Sequence, residues 1–316
     1  MARRFTRVVT TPAAARLPQV GNRPFVSLTS DWGLRDPSAA ICRGVVLNIA
    51  PEALIVDITH EVDKYNIRHG ALMLWCALPF MPVGAHVCVV DPGVGTARRP
   101  IAIETGRGDY LIGPDNGVLL PGAARIGGIV RVHQIGNPQY RLPVITATFH
   151  GRDLFTPAAA HLALGVPLES FGPPVEPQDL TPIDWPPVIV RENELETSVI
   201  YRDTFGNVKL AGLATDFATA LPDIAYGDKV DVHFGKATKA TKAIEMTWAQ
   251  TFGQVSTGDY LVYEDSYGRL CIAQNQGDAA RTLGLEELTS VRITRRSRST
   301  SSRAKRAPAG GGQTAE

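Results

Sequence analysis

From Phe25 onward, short apolar runs alternate with segments of helical period, the pattern of an α/β domain. Residues 25–29 are predicted as a buried strand. Asp36-Pro37 then supplies an N-cap and a proline at the first helical position, opening a helix to about Ile49. Residues 53–58 form the next strand. Ile67, Ala71, Leu74, Trp75 and Leu78 share one face of a helix. Residues 86–90 are β-rich and end in Asp91-Pro92-Gly93-Val94-Gly95-Thr96. Two further strands flank Gly108-Asp109, Asp115-Asn116-Gly117 marks a turn, and a last helix covers residues 152–164.

Residues 172–187 hold six prolines in sixteen positions, which neither a helix interior nor a central strand accepts, and they read as a linker. Beyond them, period-two stretches at 197–201, 229–234, 260–263 and 270–273 predict a smaller all-β, barrel-like domain. The expected layout is an α/β chain of five parts: a disordered tail (1–24), an N-terminal α/β sandwich-type domain (25–171), the linker (172–187), a C-terminal β domain (188–294) and a second disordered tail (295–316).

Composition changes this picture in two places. At 316 residues and 44% hydrophobic, the chain is long and apolar enough for two cores. No apolar stretch reaches membrane-spanning length, and the N-terminal segment lacks the apolar core of a secretory signal. The net charge of +1 hides an uneven distribution. Residues 1–24 carry five arginines and no acid, and residues 295–316 carry six bases against Glu316, which leaves nine more acids than bases in between. The C-terminal tail has too little apolar content to fold, the N-terminal one reads as a disordered extension, and neither nucleic acid nor membrane is an expected partner. Cys42, Cys76, Cys88 and Cys271 show no CxxC or zinc spacing; they read as buried free thiols in a reducing, cytoplasmic compartment.

Polar residues gather where strands end, the place open α/β sheets put their sites. Thr29-Ser30-Asp31-Trp32-Gly33, followed by Asp36 and Ser38, sets carboxylates just past a strand. An ionised aspartate only accepts hydrogen bonds, so it suits a ribose diol or an amine, or else it caps a helix and shapes a turn. The glycines after Asp91 suggest a phosphate loop, but neither Gly-Lys-Ser/Thr nor GxGxxG is present. They let the loop fold back instead, so that Arg98 can meet Asp91. Phe149-His150-Gly151-Arg152-Asp153 puts a histidine at a strand end before a helix. His60, His69 and His150 lack the spacing of metal ligands, and no metal site is expected.

Ser30-Asp31-Trp32-Gly33, Asp57-Ile58-Thr59-His60, Asp91-Pro92-Gly93-Val94-Gly95-Thr96, Gly113-Pro114-Asp115-Asn116-Gly117 and Phe149-His150-Gly151-Arg152-Asp153 occur in one order. Together they resemble the S-adenosyl-L-methionine (SAM) hydroxide adenosyltransferase family, relatives of the SAM-dependent fluorinase and chlorinase. Asp203-Thr204-Phe205-Gly206-Asn207 and the stretch 266–275 extend the resemblance over roughly residues 25–293. It implies a SAM hydrolase: water attacks C5′ and the products are adenosine and L-methionine, with SAM as substrate and no cofactor. Asp91, Arg98 and His150 would hold the water. Halogenases carry Tyr at the Asp91 position, and the fluorinase has a long insertion where only about ten residues separate Arg99 from Tyr110 here.

The same resemblance implies that Asp31 holds the ribose hydroxyls and that Asp36, Asp203 and Ser266 grip the amino-acid end. Phe205 and Phe252 would sandwich the adenine and Asn207 read its polar edge. Tyr65 stands where the fluorinase has a Trp beside the ribose, and Ser38, Phe149 and Asn275 complete the substrate-binding set. Tyr267 and Gln274 depart from the fluorinase, which has Arg at both positions. A homotrimer is implied, with each SAM at the boundary between one subunit's N-terminal domain and a neighbour's C-terminal domain. Two alternatives are a SAM-dependent halogenase and a non-catalytic SAM- or adenosine-binding protein. The intact Asp91, Arg98 and His150 set favours the hydrolase over both.

Overall fold

The computed structural model describes residues 23–235 and 243–296, which divide into two compact units between Trp185 and Pro186. Apart from residues 23, 24, 295 and 296, the two tails expected to be disordered lie outside the described residues.

In the first unit, strands β1 (Phe25–Ser30), β2 (Leu54–Thr59), β3 (Ala85–Val89), β4 (Pro100–Thr105), β5 (Tyr110–Pro114) and β6 (Ile129–Gln134) form one sheet in the order β2-β1-β3-β5-β4-β6. β2, β1, β3 and β5 run parallel; β4 is antiparallel to both its neighbours. Every residue of β1 and β3 is buried, as parallel strands covered on both faces require. Helices α1 (Ser38–Ile49), α2 (Ile67–Ala77), α3 (Leu120–Arg125) and α4 (Thr156–Ala163) supply those covers. Val26, Leu28, Val87 and Val89 share a core with α1 and α4, and Cys88 and Val90 share one with α2 and α3. The strand period of two thus sends alternate side chains to opposite layers. The chain leaves β1 for β2 on one side and β3 on the other, so the ends of β1 and β3 flank a topological switch point.

A mostly buried polar network ties β1 and β3 to the turn before β5 at the other end of the sheet. His86 in β3 meets Ser27 Oγ of β1 at 2.7 Å and, through Nε2, the Asp109 carboxylate at 3.0 Å. Asp109 also accepts from Arg107 Nε at 2.7 Å and from the Gly84 amide at 3.2 Å. Burial pushes the His86 pKa down. Serine, histidine and aspartate in series invite a catalytic reading, but Ser27, His86 and Asp109 are closed to solvent, so the network is structural.

Three local expectations change. The first helix begins at Ser38 rather than Pro37, and Asp36 Oδ1 accepts the Ser38 amide at 2.9 Å. No strand precedes His150. Residues 141–149 are irregular because the Thr146 amide and hydroxyl both donate to Asp153 Oδ2 at 2.7 Å, folding the chain back onto the helix that follows. That helix opens with a π-helical turn (Gly151–Phe155) before α4. The proline-rich segment is packed rather than free-running. The Gln134 amide bonds Pro173 O and the Val175 amide bonds Val132 O, both at 2.9 Å, so the segment covers the β6 edge, and Val175 and Leu180 are buried in the α2–α3 core. Proline restricts helix interiors and central strands, not burial.

The second unit bears out the barrel expectation. β8 (Glu194–Arg202), β9 (Val208–Leu213), β10 (Lys229–Phe234), β11 (Ile244–Trp248), β12 (Tyr260–Glu264), β13 (Arg269–Gln274) and β14 (Ser290–Arg295) close into a seven-stranded barrel through the β14–β8 pairing. β7 (Ile189–Arg191) extends β8 outside it. All barrel pairs are antiparallel except β11–β12. Helices α5 (Ala214–Ala220) and α6 (Ala279–Leu283) pack on the barrel, and Phe217 of α5 stacks on Trp248 at 4.4 Å. The four cysteines are free and buried, and among the described residues no helix is long and apolar enough to cross a membrane.

Phe171, fully buried and 4.7 Å from the Tyr140 ring, anchors the start of the proline-rich segment. Phe171→Ala should lower the stability of the first unit by about 3–5 kcal/mol, read from its urea unfolding transition.

Candidate active site

Asp91 follows the C-terminal end of β3, one residue past Val90. Asn116, from the turn after β5, donates its side-chain amide to Val90 O at 2.9 Å and so fixes the backbone from which Asp91 projects. The loop then turns back on itself: the Val94 amide bonds Asp91 O at 3.2 Å and Thr96 Oγ1 bonds Gly93 O at 2.7 Å. Gly95 has φ +77°, and a Cβ there would lie 2.7 Å from Ala147 O, so only glycine permits this approach. The turn delivers Arg98 to Asp91. Its Nε donates to both carboxylate oxygens, at 3.0 and 2.9 Å, and Nη2 makes a further short bond. The Arg98 guanidinium also lies 5.1 Å over the Phe155 ring.

The same guanidinium reaches His150, with Nη2 2.7 Å from Nδ1. Arginine can only donate, so Nδ1 accepts and the imidazole proton sits on Nε2. Burial first, and the Arg98 charge second, hold the His150 pKa below its ordinary value, against the opposing pull of Asp91 and Asp153. Asp91, Arg98 and His150 therefore form one connected group: a carboxylate and a guanidinium whose side chains are 5% and 10% exposed, and an uncharged imidazole. Among the described residues, no group of His, Cys, Asp and Glu could hold a metal ion.

The first unit holds more of the expected residues. Asp31, just past β1, accepts the Tyr65 amide on Oδ2 at 2.9 Å. Tyr65 adopts φ +64°, a costly conformation for a non-glycine residue, and its side chain stands 70% exposed. The Ser38 amide, then its side chain, lower the pKa of the exposed Asp36 carboxyl. Phe149 adjoins His150, with the Arg152 guanidinium 5.1 Å over its ring.

Asp203, Phe205, Asn207, Phe252, Ser266 and Asn275 all belong to the second unit, where they line one open cleft of about 920 Å³. Asp203 organises its rim: Oδ1 accepts the amides of Phe205 and Asn207, and Oδ2 accepts Asn207 Nδ2, all at 2.9 Å. The turn exposes Phe205 by 77%, while Phe252 packs 5.2 Å from Tyr263. Gly206 has φ +80°, and a Cβ would overlap Asp278. Asn275 Nδ2 bonds Val255 O, and Gln274 Nε2 bonds Gly258 O, both at 2.9 Å. Sequence reasoning missed Lys209, which lines this cleft, pairs with Asp265 and lies 5.1 Å over the Tyr267 ring. Its signal was a lysine in the otherwise apolar run 208–213.

Residues 26–172 match the N-terminal domain, and residues 197–292 the C-terminal domain, of SAM hydroxide adenosyltransferases; the chain belongs to that family. A protein of Salinispora tropica named (R)-S-adenosyl-L-methionine hydrolase is 40% identical, over 86% of this chain and 98% of its own. The fluorinase of Actinopolyspora mzabensis is 27% identical, over 87% and 98%. The crystal structure of an uncharacterized conserved protein from Thermotoga maritima superimposes with a TM-score of 0.79 at 34% identity, covering 85% of this chain and 100% of that one.

Because the Arg98 charge helps depress the His150 pKa, Arg98→Met should raise the midpoint of the His150 imidazole titration. The wild-type midpoint should lie below the ordinary imidazole value, and NMR of the labelled ring reads both.

Proposed function

We propose that the chain hydrolyses SAM, water displacing methionine from C5′ to give adenosine and L-methionine. The observation that carries this reading is the Asp91–Arg98–His150 connection at the end of β3, in a member of this family. Relatives named hydrolase are also closer in sequence than those named fluorinase.

The chemistry asks little of the protein. The sulfonium makes C5′ electrophilic, and the C–S bond breaks with its electron pair passing to sulfur, so methionine leaves as a neutral thioether without a general acid. The water oxygen forms the new C–O bond and sheds one proton. Asp91 is the acceptor or orienter of that proton. Arg98 fixes the plane of the Asp91 carboxylate, and His150, with its proton on Nε2, offers a donor to the water oxygen. Much of the acceleration comes from in-line placement and from stripping bulk water off the nucleophile. A negative carboxylate in this position also repels a halide.

In this reading Asp31 holds the ribose hydroxyls beside Tyr65 and Phe149. Asp36, Ser38, Asp203 and Ser266 take the amino-acid end. Phe205 and Phe252 stack on adenine, while Asn207 and Asn275 line its edge. SAM is the substrate, and no cofactor takes part. A cytoplasmic homotrimer, in which neighbouring subunits complete each other's sites, fits the division of these ligands between the two units; the mass in solution tests it.

Purified protein given SAM should release adenosine and methionine in equal amounts at a rate independent of added chloride or fluoride; formation of a 5′-halo-5′-deoxyadenosine would overturn the reading. Asp91→Asn should lower kcat by about 10²–10⁴-fold, with SAM affinity by calorimetry kept within a few-fold. Phe205→Ala should act on affinity instead, weakening SAM binding by about 1–3 kcal/mol, the usual worth of a stacked base. Because the Arg98–His150 bond needs an unprotonated Nδ1, the rate should fall as pH drops through the His150 midpoint, placing the acid limb of kcat below the ordinary imidazole range.

A further inference from the structure

Asp57-Ile58-Thr59-His60 and Trp32 have no part in the chemistry above, yet they are built into the ground beneath it. His60 has a side chain only 1% exposed, and its Nδ1 lies 2.7 Å from Ser30 Oγ. The Gly33 amide bonds His60 O at 2.7 Å and the Val62 amide bonds Ser30 O at 3.2 Å, so the turn after β1 and the segment after β2 are fastened together. On this base the Trp32 indole lies parallel to the His60 ring, 6.0 Å away at 12°. Its edge meets Phe149 at 5.4 Å and 89°. It also fills the space a side chain at Gly151 would take: a Cβ there would fall 2.4 Å from Trp32 Cζ2. Phe149 and Gly151 are the two neighbours of His150.

We propose that His60 and Trp32 are positioning residues, a wedge that sets the backbone of residues 149–151 so that His150 meets Arg98. The inference rests on the reading of Asp91, Arg98 and His150 as the water-holding group. The physical reason is leverage. The Arg98 bond fixes one ring nitrogen of His150, and the remaining freedom of the ring is that of its backbone, which Trp32 presses from one side. His60 is suited to hold Trp32 because its ring is flat and enclosed; Ser30 engages Nδ1, while Nε2 lies 3.3 Å from Asp57 without a hydrogen bond. Arg43 holds Asp57 in turn, and burial, with the Arg43 charge opposed by Glu61, keeps His60 below its ordinary pKa. The charged groups facing His150 itself are Arg98, Asp91 and Asp153.

The test compares His60→Ala, which removes the stacking surface, with His60→Phe, which keeps a flat ring and loses the polar contacts. Three quantities are read on each: kcat and KM for SAM, the NMR titration midpoint of His150, and the thermal midpoint. His60→Ala should lower kcat about 10-fold or more, a misplacement effect, with KM within about threefold and the His150 midpoint moved upward. His60→Phe should recover most of kcat and return the His150 midpoint toward the wild-type value. A folded His60→Ala protein with wild-type kcat and wild-type His150 midpoint overturns the proposal, whatever its thermal midpoint. If His60→Ala does not fold, Trp32→Phe and Trp32→Leu carry the same comparison. The His150 titration needs no turnover. Wild-type protein that released no adenosine would therefore count against the hydrolase reading, while the titration would still decide the wedge.

Discussion

The structure around the candidate site depends on keeping a carboxylate and a guanidinium together while both are mostly withdrawn from water. Neither side chain could sit there alone, because an unpaired buried charge costs several kcal/mol. Arg98 satisfies Asp91 with two nitrogens and then spends the remaining reach of Nη2 on His150, which makes the imidazole an acceptor and keeps it uncharged. Charge, hydrogen-bond direction and protonation state are thus one arrangement. What surrounds it serves to hold three backbone segments close enough for that arrangement to exist.

Those segments interlock through short polar links. Asn116 grips the carbonyl before Asp91, and Asp153 draws Thr146 back so that Ala147 meets the loop at Gly95. Trp32 backs the residues on either side of His150. Most of these contacts join segments distant in sequence, and several are made by atoms no side-chain pattern reports: a carbonyl, an amide, a missing Cβ. The His86 network at the far end of the sheet is the instructive contrast. Its partners are as well matched as those of His150, but its serine, histidine and aspartate are closed to solvent and can only brace strands.

The second unit solves a different problem. Closing the sheet through the β14–β8 pairing removes exposed barrel edges and leaves loops to build the cleft. Asp203 spends its carboxylate on the turn that follows it, which fixes Asn207 and leaves Phe205 standing outward. In the free cleft Asp203 is therefore an architectural residue. Lys209 and Asp265 add a paired charge to the cleft wall that period-two patterning could not distinguish from an outward-facing lysine.

The sequence by itself determined the class of fold and the identities of most candidate residues. Strand-length apolar runs, a helix face at Ala71, Leu74, Trp75 and Leu78, and the period-two stretches past residue 188 are local consequences of burial, and local signals survive in one dimension. It also carried the five motifs whose order points to the family. Tertiary structure decided the rest. Six prolines ruled out helix and central strand in 172–187, but whether that segment hangs free or covers the β6 edge depended on hydrogen bonds to residues some forty positions earlier. The segment before His150 looked like a strand because its residues suit one; a single buried carboxylate, Asp153, competed for its amide and hydroxyl and won. Which strands pair to close the barrel, and the wedge behind His150, were equally invisible. Contacts between distant segments depend on which surfaces meet, and composition and spacing record only which residues are available to meet.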